Sequence, residues 1–235
     1  MTTNLYERAR FRISGDCSIL AEYGTGVDQV VNDKVRRMAN LIMNRKLPGI
    51  EAAVPSYCTL SVHYNPLRTG FAELRDLLWS LENELDNADI PEPGTIDIPV
   101  CYGKEFGPDI DFVAQHNGIS VDNVIQLHTG SAYHIFAIGF APGFCYLGGL
   151  SPRLHAPRLE TPRVRVAAGS VGIAGAQTGV YPLASPGGWR LIGRTPLRLF
   201  APERPQPILY QAGDTIRFRS VSPDEFNHIS RLESP

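Results

Sequence analysis

The sequence predicts an α+β domain at its amino-terminal end, followed by a mainly β domain. Over the first 88 residues, segments in which apolar side chains recur at the spacing of a strand alternate with segments in which they recur at the spacing of a helix. In the stretch 139–193, by contrast, eleven glycines and repeated prolines separate short apolar runs. Because glycine and proline interrupt helices, this stretch favours short strands joined by tight turns, as in a barrel.

The first domain, residues 1–88, is predicted from its periodic segments. Apolar residues of the segment 58–64 alternate with polar ones, which is the period of a half-buried strand. The predicted elements are strands at 10–14 and 17–23, a helix over 27–42, strands at 51–54 and 58–64, and a helix over 71–85. This order predicts a sheet with helices on one face. Residues 89–95 are acidic, contain prolines and form the predicted linker.

The second domain, residues 96–235, is predicted to open with a strand and two short helices. The predicted elements are a strand at 96–102, helices at 111–116 and 121–128, strands at 133–140 and 163–166, and a hairpin over 208–218. The helix pair has the spacing of a helix-turn-helix, with Ser120 as the N-cap of its second helix. That helix carries no lysine or arginine, so a packing unit is favoured over DNA recognition.

Composition places the chain among ordinary globular proteins and excludes several classes. Hydrophobic residues make up 43% and charged residues 20% of its 235 positions, and the net charge is −2. This balance argues against bulk nucleic-acid binding, and no apolar run approaches the ~20 residues of a membrane span. The amino terminus lacks an apolar signal-peptide core, so a cytoplasmic protein is expected, with no membrane partner. Four cysteines without a CxxC pair are expected to be free thiols.

Charge is unevenly distributed within the second domain. Between Pro142 and Pro202 there are seven arginines, no lysine and one acidic residue, Glu160. Arg163 and Arg165 alternate with two valines, so both arginines are predicted to project from one face of a strand. Arginine forks suit the bidentate binding of carboxylate or phosphate, with Arg163, Arg165, Arg190 and Arg194 as the candidates. Surface arginines that stack on aromatic rings are the open alternative.

Three segments carry a resemblance to a known family. The segments GFAPGFCYLGGL, TPRVRVAAGSVGIAGAQTGVYP and SPGGWRLIGRTPLRLF resemble the signature segments of the family of 5-oxoprolinase B subunits. That family is also called allophanate hydrolase subunit 1 and includes KipI, an inhibitor of a sporulation histidine kinase. The resemblance implies a ferredoxin-like first domain and a cyclophilin-like β-barrel as the second.

The resemblance also implies an activity. The chain would be the B subunit of an ATP-dependent 5-oxoprolinase, a cyclic amide hydrolase in which it acts with the A and C subunits to open 5-oxo-L-proline to L-glutamate. Its part would be in the ATP-dependent activation of the lactam, with ATP and Mg at a site shared with a partner protein of the complex. Two alternatives stay open: an inhibitor of a sensor histidine kinase, and the carboxyltransferase part of a urea-carboxylase or allophanate system.

The candidate ligand-binding residues come from the family's segments and from the arginines. They are Gly143, Phe144, Tyr146, Arg163, Arg165, Gln177, Thr178, Tyr181, Ser185, Gly187, Gly188, Trp189 and Arg194. His128 is the candidate catalytic acid or base, although a favourable charge at a helix C-terminus would also account for it. No metal site is predicted. No GxxxxGK[ST] is present, and the glycines at 169, 172 and 175 also suit barrel bends.

Overall fold

The computed structural model describes residues 4–85 and 92–233. The chain divides into two compact units, Met1–Glu92 and Pro93–Pro235. The first three positions of the predicted linker, 89–91, lie outside the described residues. Within the described ranges, no helix has the length and apolar character needed to cross a membrane.

Over its described residues, the first unit is a four-stranded antiparallel sheet with two helices. Its elements are β1 (Leu5–Ile13), β2 (Ser18–Gly24), α1 (Gln29–Arg45), β3 (Ile50–Pro55), β4 (Thr59–Tyr64) and α2 (Phe71–Glu82). The strand order is β1-β2-β4-β3. The side chain of Asp28 accepts hydrogen bonds from the amides of Val30 and Val31 and so fixes the start of α1. The predicted elements of this part of the chain are confirmed, with shifted boundaries.

One core lies between this sheet and both helices. Alternate residues of β2 and β4, such as Ile19 and Val62, face it, as do Val35 of α1 and Leu78 of α2. The helices therefore cover one face of the sheet, as predicted. The chain order is ββαββα, whereas the ferredoxin-like order is βαββαβ. The ferredoxin-like name stays a prediction.

The second unit, over its described residues, contains a mixed sheet of seven strands, a separate strand pair and three α-helices. Its elements are β5 (Thr95–Tyr102), α3 (Ile110–His116), α4 (Val121–Thr129), β6 (Ala132–Ile138), β7 (Cys145–Gly148), β8 (Arg163–Val166), β9 (Ser170–Ala174), β10 (Gln177–Val180), β11 (Ser185–Gly187), β12 (Arg190–Arg194), β13 (Thr215–Ser220) and α5 (Pro223–Glu233).

The seven-stranded sheet curls into a nearly closed barrel. Its strand order is β10-β9-β12-β5-β13-β6-β7, and the two edge strands β10 and β7 pack against each other. The thiol of Cys145 on β7 reaches the backbone of Val180 on β10, which places the two edges in contact. Helix α3 packs against β12 and α4 against β13, so the helix pair is part of the packing of this unit. The barrel expected from the glycine-rich segments is present; the cyclophilin-like name stays a prediction.

The predicted terminal hairpin is wrong. Strand β13 pairs in parallel with β5, from Thr215 opposite Thr95 to Ser220 opposite Val100, and antiparallel with β6. The segment that was expected to pair with it forms only an isolated bridge between Ile208 and Phe200. The turn at Gly213 was located correctly, since this glycine has a φ of 99°. The chain then continues into α5, which the sequence pattern did not predict.

Candidate functional site

The three signature segments converge on one pocket of the second unit, with a volume of about 270 Å³. The end of β6 and the start of β7 supply one wall, β10 and the residue after it a second, and β11 with its following loop a third. The lining residues are Phe140, Phe144, Tyr146, Arg158, Leu159, Pro162, Gln177, Tyr181, Pro186, Gly187, Gly188 and Trp189. A cavity of this size suits a small molecule.

Aromatic rings form the apolar wall of the pocket. Phe144 is at the centre: its ring centroid lies 5.1 Å from Tyr146, 6.0 Å from Tyr181 and 5.7 Å from Trp189, each in an edge-to-face arrangement. A Cβ at Gly179 would lie 3.1 Å from the Trp189 ring and 3.4 Å from Phe144, so a glycine is needed there. Phe144, Tyr181 and Trp189 are buried, and they belong both to a small core and to the pocket wall.

Polar groups stand at defined points of this wall. Gln177 contributes a carboxamide and Arg158 a guanidinium. No acidic side chain of the described ranges forms an ion pair with Arg158, which leaves its charge available to a ligand. Burial raises the pKa of Tyr181, and a bond to the Trp189 backbone and the charge of Arg158 only partly offset this effect. The Tyr181 hydroxyl is therefore protonated at neutral pH and can donate a hydrogen bond.

An ion pair holds the pocket wall from behind. Nη2 of Arg163 donates to both carboxylate oxygens of Asp109, at 2.8 and 2.9 Å, and its Nη1 donates to the Trp189 carbonyl at 3.3 Å. The same carboxylate accepts a bond from the Leu191 amide at 2.7 Å, and the Asp109 amide donates to the Leu191 carbonyl. Arg163 thus connects α3 to the backbone that carries Trp189. It does not line the pocket.

The prediction that Arg163 and Arg165 project from one face is wrong. The pairing of β8 with β11 shifts register between Ser185 and Gly187, so one extra residue is accommodated in β8. Val164 is 90% exposed whereas Val166 is 1% exposed, which shows that the two-residue alternation is broken. Arg163 turns inwards to Asp109, and Arg165 remains exposed.

Other predicted residues support the pocket or lie elsewhere. The carbonyl of Gly143 accepts a hydrogen bond from the Tyr210 hydroxyl below Phe144. Ser185 pairs with Val166 in the small strand pair. Arg194 donates from Nε to the Ala168 carbonyl and, together with Pro182, lines a second cavity of about 360 Å³. None of these three residues lines the first pocket.

His128 and Thr178 lie inside the barrel. Thr178 donates to the Gly172 carbonyl at 3.1 Å, so its oxygen accepts from Nε2 of His128, at 2.9 Å. Nδ1 then accepts from the Tyr102 hydroxyl at 2.7 Å, and the ring stacks on Phe218. Burial lowers the pKa of His128 to about 3, so the ring is neutral at neutral pH. The interpretation of His128 as a favourable charge at the end of α4 is wrong. Its catalytic role stays a prediction, and no contact with the pocket supports it.

Several pocket residues were not named from the sequence. Phe140 lines the pocket within the predicted segment GFAPGF but was not named individually, and Arg158, Leu159 and Pro162 line it without having been predicted. Loop 155–162 contributes the last three, and the Leu159 amide ties this loop to the Gly188 carbonyl at 2.7 Å. The available signal was indirect: an arginine between prolines in a stretch with a single acidic residue.

Replacing Gly187 by alanine is expected to lower the free energy of unfolding by about 2 kcal/mol, because overfilling a packed site forces its neighbours to move. A Cβ at Gly187 would lie 2.8 Å from two ring carbons of Tyr181. Urea unfolding of the purified chain measures the change. Gly188→Ala is the matched control, since a Cβ there meets Pro162 at an ordinary 3.6 Å. Equal stabilities of the two variants would contradict the crowding.

The lining of the first pocket does not fit a nucleotide, and the described residues offer no cluster for a magnesium ion. The pocket presents one guanidinium without an acidic partner among them, Arg158, and no glycine-rich loop leads into a described helix from it. Within the described ranges, no group of three or more carboxylates, histidines or cysteines could hold a metal ion. The arrangement offers a small molecule an apolar wall, a carboxamide and one positive charge.

Comparison with known proteins gives matches along most of the chain. A model of the family described as carboxyltransferase domain, subdomain C and D, matches residues 9–210. The B subunit of 5-oxoprolinase from Bacillus subtilis (strain 168) is 39% identical over 231 residues, which is 94% of this chain and 95% of that protein. The protein of the same name from Escherichia coli O157:H7 is 41% identical over 214 residues, 90% and 96% of the two chains. The Kluyveromyces lactis urea carboxylase structure superposes with a TM-score of 0.77 on 97% of this chain and 24% of its own; at 20% identity, this shows a shared fold alone.

Proposed function

Because the chain belongs to the family of carboxyltransferase domains, subdomains C and D, and is similar to proteins named as the B subunit of 5-oxoprolinase, we propose that it is the B subunit of a 5-oxoprolinase complex. The complex would open 5-oxo-L-proline to L-glutamate with the consumption of ATP. The observation that supports this proposal is the pocket in which the three signature segments meet.

The lining of the pocket supports 5-oxoproline as the ligand through three kinds of group. Gln177 lines the pocket with a carboxamide, the type of group that can pair with the N–H or C=O of a lactam. Arg158 provides a positive charge for the carboxylate, and the aromatic wall provides a surface for the small ring. The chain would thereby bind and orient the lactam and shield it from water.

A resonance-stabilised amide needs activation before water can open it, and the pocket of this chain does not fit the nucleotide that would supply it. ATP, with Mg, would therefore bind at a site that depends on the C subunit, with the A subunit forming the third member of the complex. The chain alone is expected to bind the lactam without opening it. The histidine kinase and carboxyltransferase alternatives stay predictions.

Glutamate formation from 5-oxoproline and ATP tests the proposal. The A and C subunits are assayed with this chain and without it, after each has been shown to be folded. Turnover that depends strictly on the chain is expected. Full turnover in its absence would overturn the proposal, and biotin-dependent carboxyl transfer would then be assayed instead.

Replacing Arg158 by glutamine is expected to raise the KM for 5-oxoproline roughly 30-fold with little change in kcat. The reason is the loss of a charge-assisted hydrogen bond to the carboxylate, which contributes about 2 kcal/mol. Steady-state kinetics of the reconstituted complex measures the change. Arg153→Gln is the matched control. Arg153 is an exposed arginine in the same connection between β7 and β8, and it does not line the pocket. An unchanged KM in the Arg158 variant would exclude this carboxylate contact.

A further inference from the structure

The loop between β6 and β7 holds an aromatic residue in an unusual backbone conformation. Phe140 has a φ of 63°, in the left-handed region. The amide of Ala141 donates to the carbonyl of Gly139 at 2.7 Å, a hydrogen bond that spans Phe140 alone. Positive φ with a bond between residues i and i+2 is the geometry of the classic γ-turn, which is rare and strained.

A left-handed conformation is costly for a bulky residue, and it persists only where the surroundings enforce it. Here both ends of the turn are fixed. The Gly139 amide donates to the Phe144 carbonyl at 3.0 Å, and the Phe144 amide donates to the Ala141 carbonyl at 2.9 Å. The Tyr210 hydroxyl holds the Gly143 carbonyl within the same loop. An extended backbone at Phe140 would therefore break hydrogen bonds within the loop between β6 and β7.

The strain places the phenyl ring at the open side of the pocket. Phe140 lines the pocket, and its ring centroid lies 5.6 Å from that of Phe144 at an angle of 72°. Unlike the buried rings of the wall, Phe140 is 75% exposed. Packing in the core does not explain the position of the Phe140 ring, because the turn leaves most of the ring exposed to solvent. A large apolar ring that is held in solvent beside a pocket gains favourable burial when a ligand in the pocket covers it.

We propose that Phe140 is a specificity-determining residue of the pocket, which packs on the exposed face of a bound five-membered lactam and limits the size of the ring that fits beneath it. This role rests on the proposed function of the pocket. The ligand class that it selects is a small cyclic amide with a carboxylate. Closure of the apolar contact lowers the access of water to the bound ring.

Two substitutions separate the ring from the strain. Phe140→Ala and Phe140→Gly both remove the phenyl ring, and in the reconstituted complex each is expected to raise the KM for 5-oxoproline about tenfold with kcat nearly unchanged. The six-membered homologue, 6-oxopiperidine-2-carboxylate, provides the specificity test. The preference for 5-oxoproline over this homologue, as a ratio of kcat/KM, is expected to narrow about tenfold in both variants. Val164→Ala is the control, since it removes an exposed apolar side chain outside the pocket.

Thermal unfolding of the isolated variants tests the turn itself. Alanine at this position keeps the strain and glycine relieves it, so the glycine variant is expected to unfold about 2–4 °C above the alanine variant. An alanine variant that is as stable as the glycine variant would overturn the strain, and unchanged KM and unchanged preference in both would overturn the specificity role. If the wild-type complex forms no glutamate, the proposed function fails. The role of Phe140 is then decided by whether 5-oxoproline raises the unfolding temperature of the wild-type chain but not of the two variants.

Discussion

Replacing Asp109 by alanine is expected to lower the free energy of unfolding by about 3 kcal/mol, the largest effect of a single substitution in the second unit that we predict. The carboxylate of Asp109 is nearly buried and accepts bonds from Arg163 and from the Leu191 amide. Its removal leaves a guanidinium in the protein without a counter-charge and a buried amide without an acceptor. Both are more costly than the loss of a well-solvated ion pair.

A double-mutant cycle distinguishes this explanation from simple loss of packing. Arg163→Met alone removes the charge and retains most of the side-chain volume, and Asp109→Ala with Arg163→Met removes both charges while position 109 stays the same as in the single variant. The double variant is expected to be more stable than Asp109→Ala, because no unpaired charge remains. Urea unfolding at neutral pH measures all variants, with the exposed pair Arg219–Glu225 as a control that contributes little. A double variant no more stable than Asp109→Ala would contradict the unpaired-charge explanation.

The pair also affects the pocket. Arg163 donates to the Trp189 carbonyl, and Asp109 binds Leu191 through both its amide and its carboxylate. Loss of the pair therefore removes hydrogen bonds that hold the backbone at Trp189 and Leu191. Fluorescence of Trp189 is expected to change in Asp109→Ala even where the variant is fully folded; a Trp79→Phe background removes the only other tryptophan.

Local patterns predicted most elements of the fold. The alternation in β4 and the N-cap role of Ser120, which accepts a bond from the Asn123 amide, are properties of neighbouring residues. The parallel pairing of β13 with β5 joins residues more than a hundred positions apart, and no local signal reports it. The turn at Gly213 could be recognised, but the partner of the strand after it could not.

Residues that share a continuous segment could be predicted to line one pocket. Phe144, Gln177 and Trp189 each stand in a glycine-rich segment that positions them in the pocket. Arg163 was predicted to bind a ligand, and the structure pairs it with Asp109. No local pattern reports this pair, because Asp109 is 54 residues away and a register shift in β8 reverses the expected face. Arg158 reaches the pocket through a loop without periodicity, so no pattern pointed to its side chain.

His128 gives the second large prediction. We expect it to make its own contribution to the loss of stability below pH 6.5. An unfolded chain protonates this histidine near pH 6.5, whereas in the folded protein burial lowers the pKa to about 3. As the pH falls below 6.5, the unfolded state takes up a proton that the folded state refuses. Stability therefore falls by about 1.4 kcal/mol per pH unit, and this loss continues until the folded state also protonates near pH 3.

The variant His128→Gln tests this sign and its size. A glutamine amide can accept from Tyr102 and donate to Thr178, and so can replace both bonds of the neutral ring. Other titrating groups are common to both proteins and cancel in the comparison. Between pH 6.5 and pH 5 the wild type is expected to lose about 2 kcal/mol more than the variant in urea unfolding. Parallel curves of stability against pH would mean that water reaches the ring in the folded protein. A difference that grows towards acid pH shows that the barrel holds His128 neutral between two hydroxyls. There the ring connects β5, α4 and β10 through one chain of hydrogen bonds.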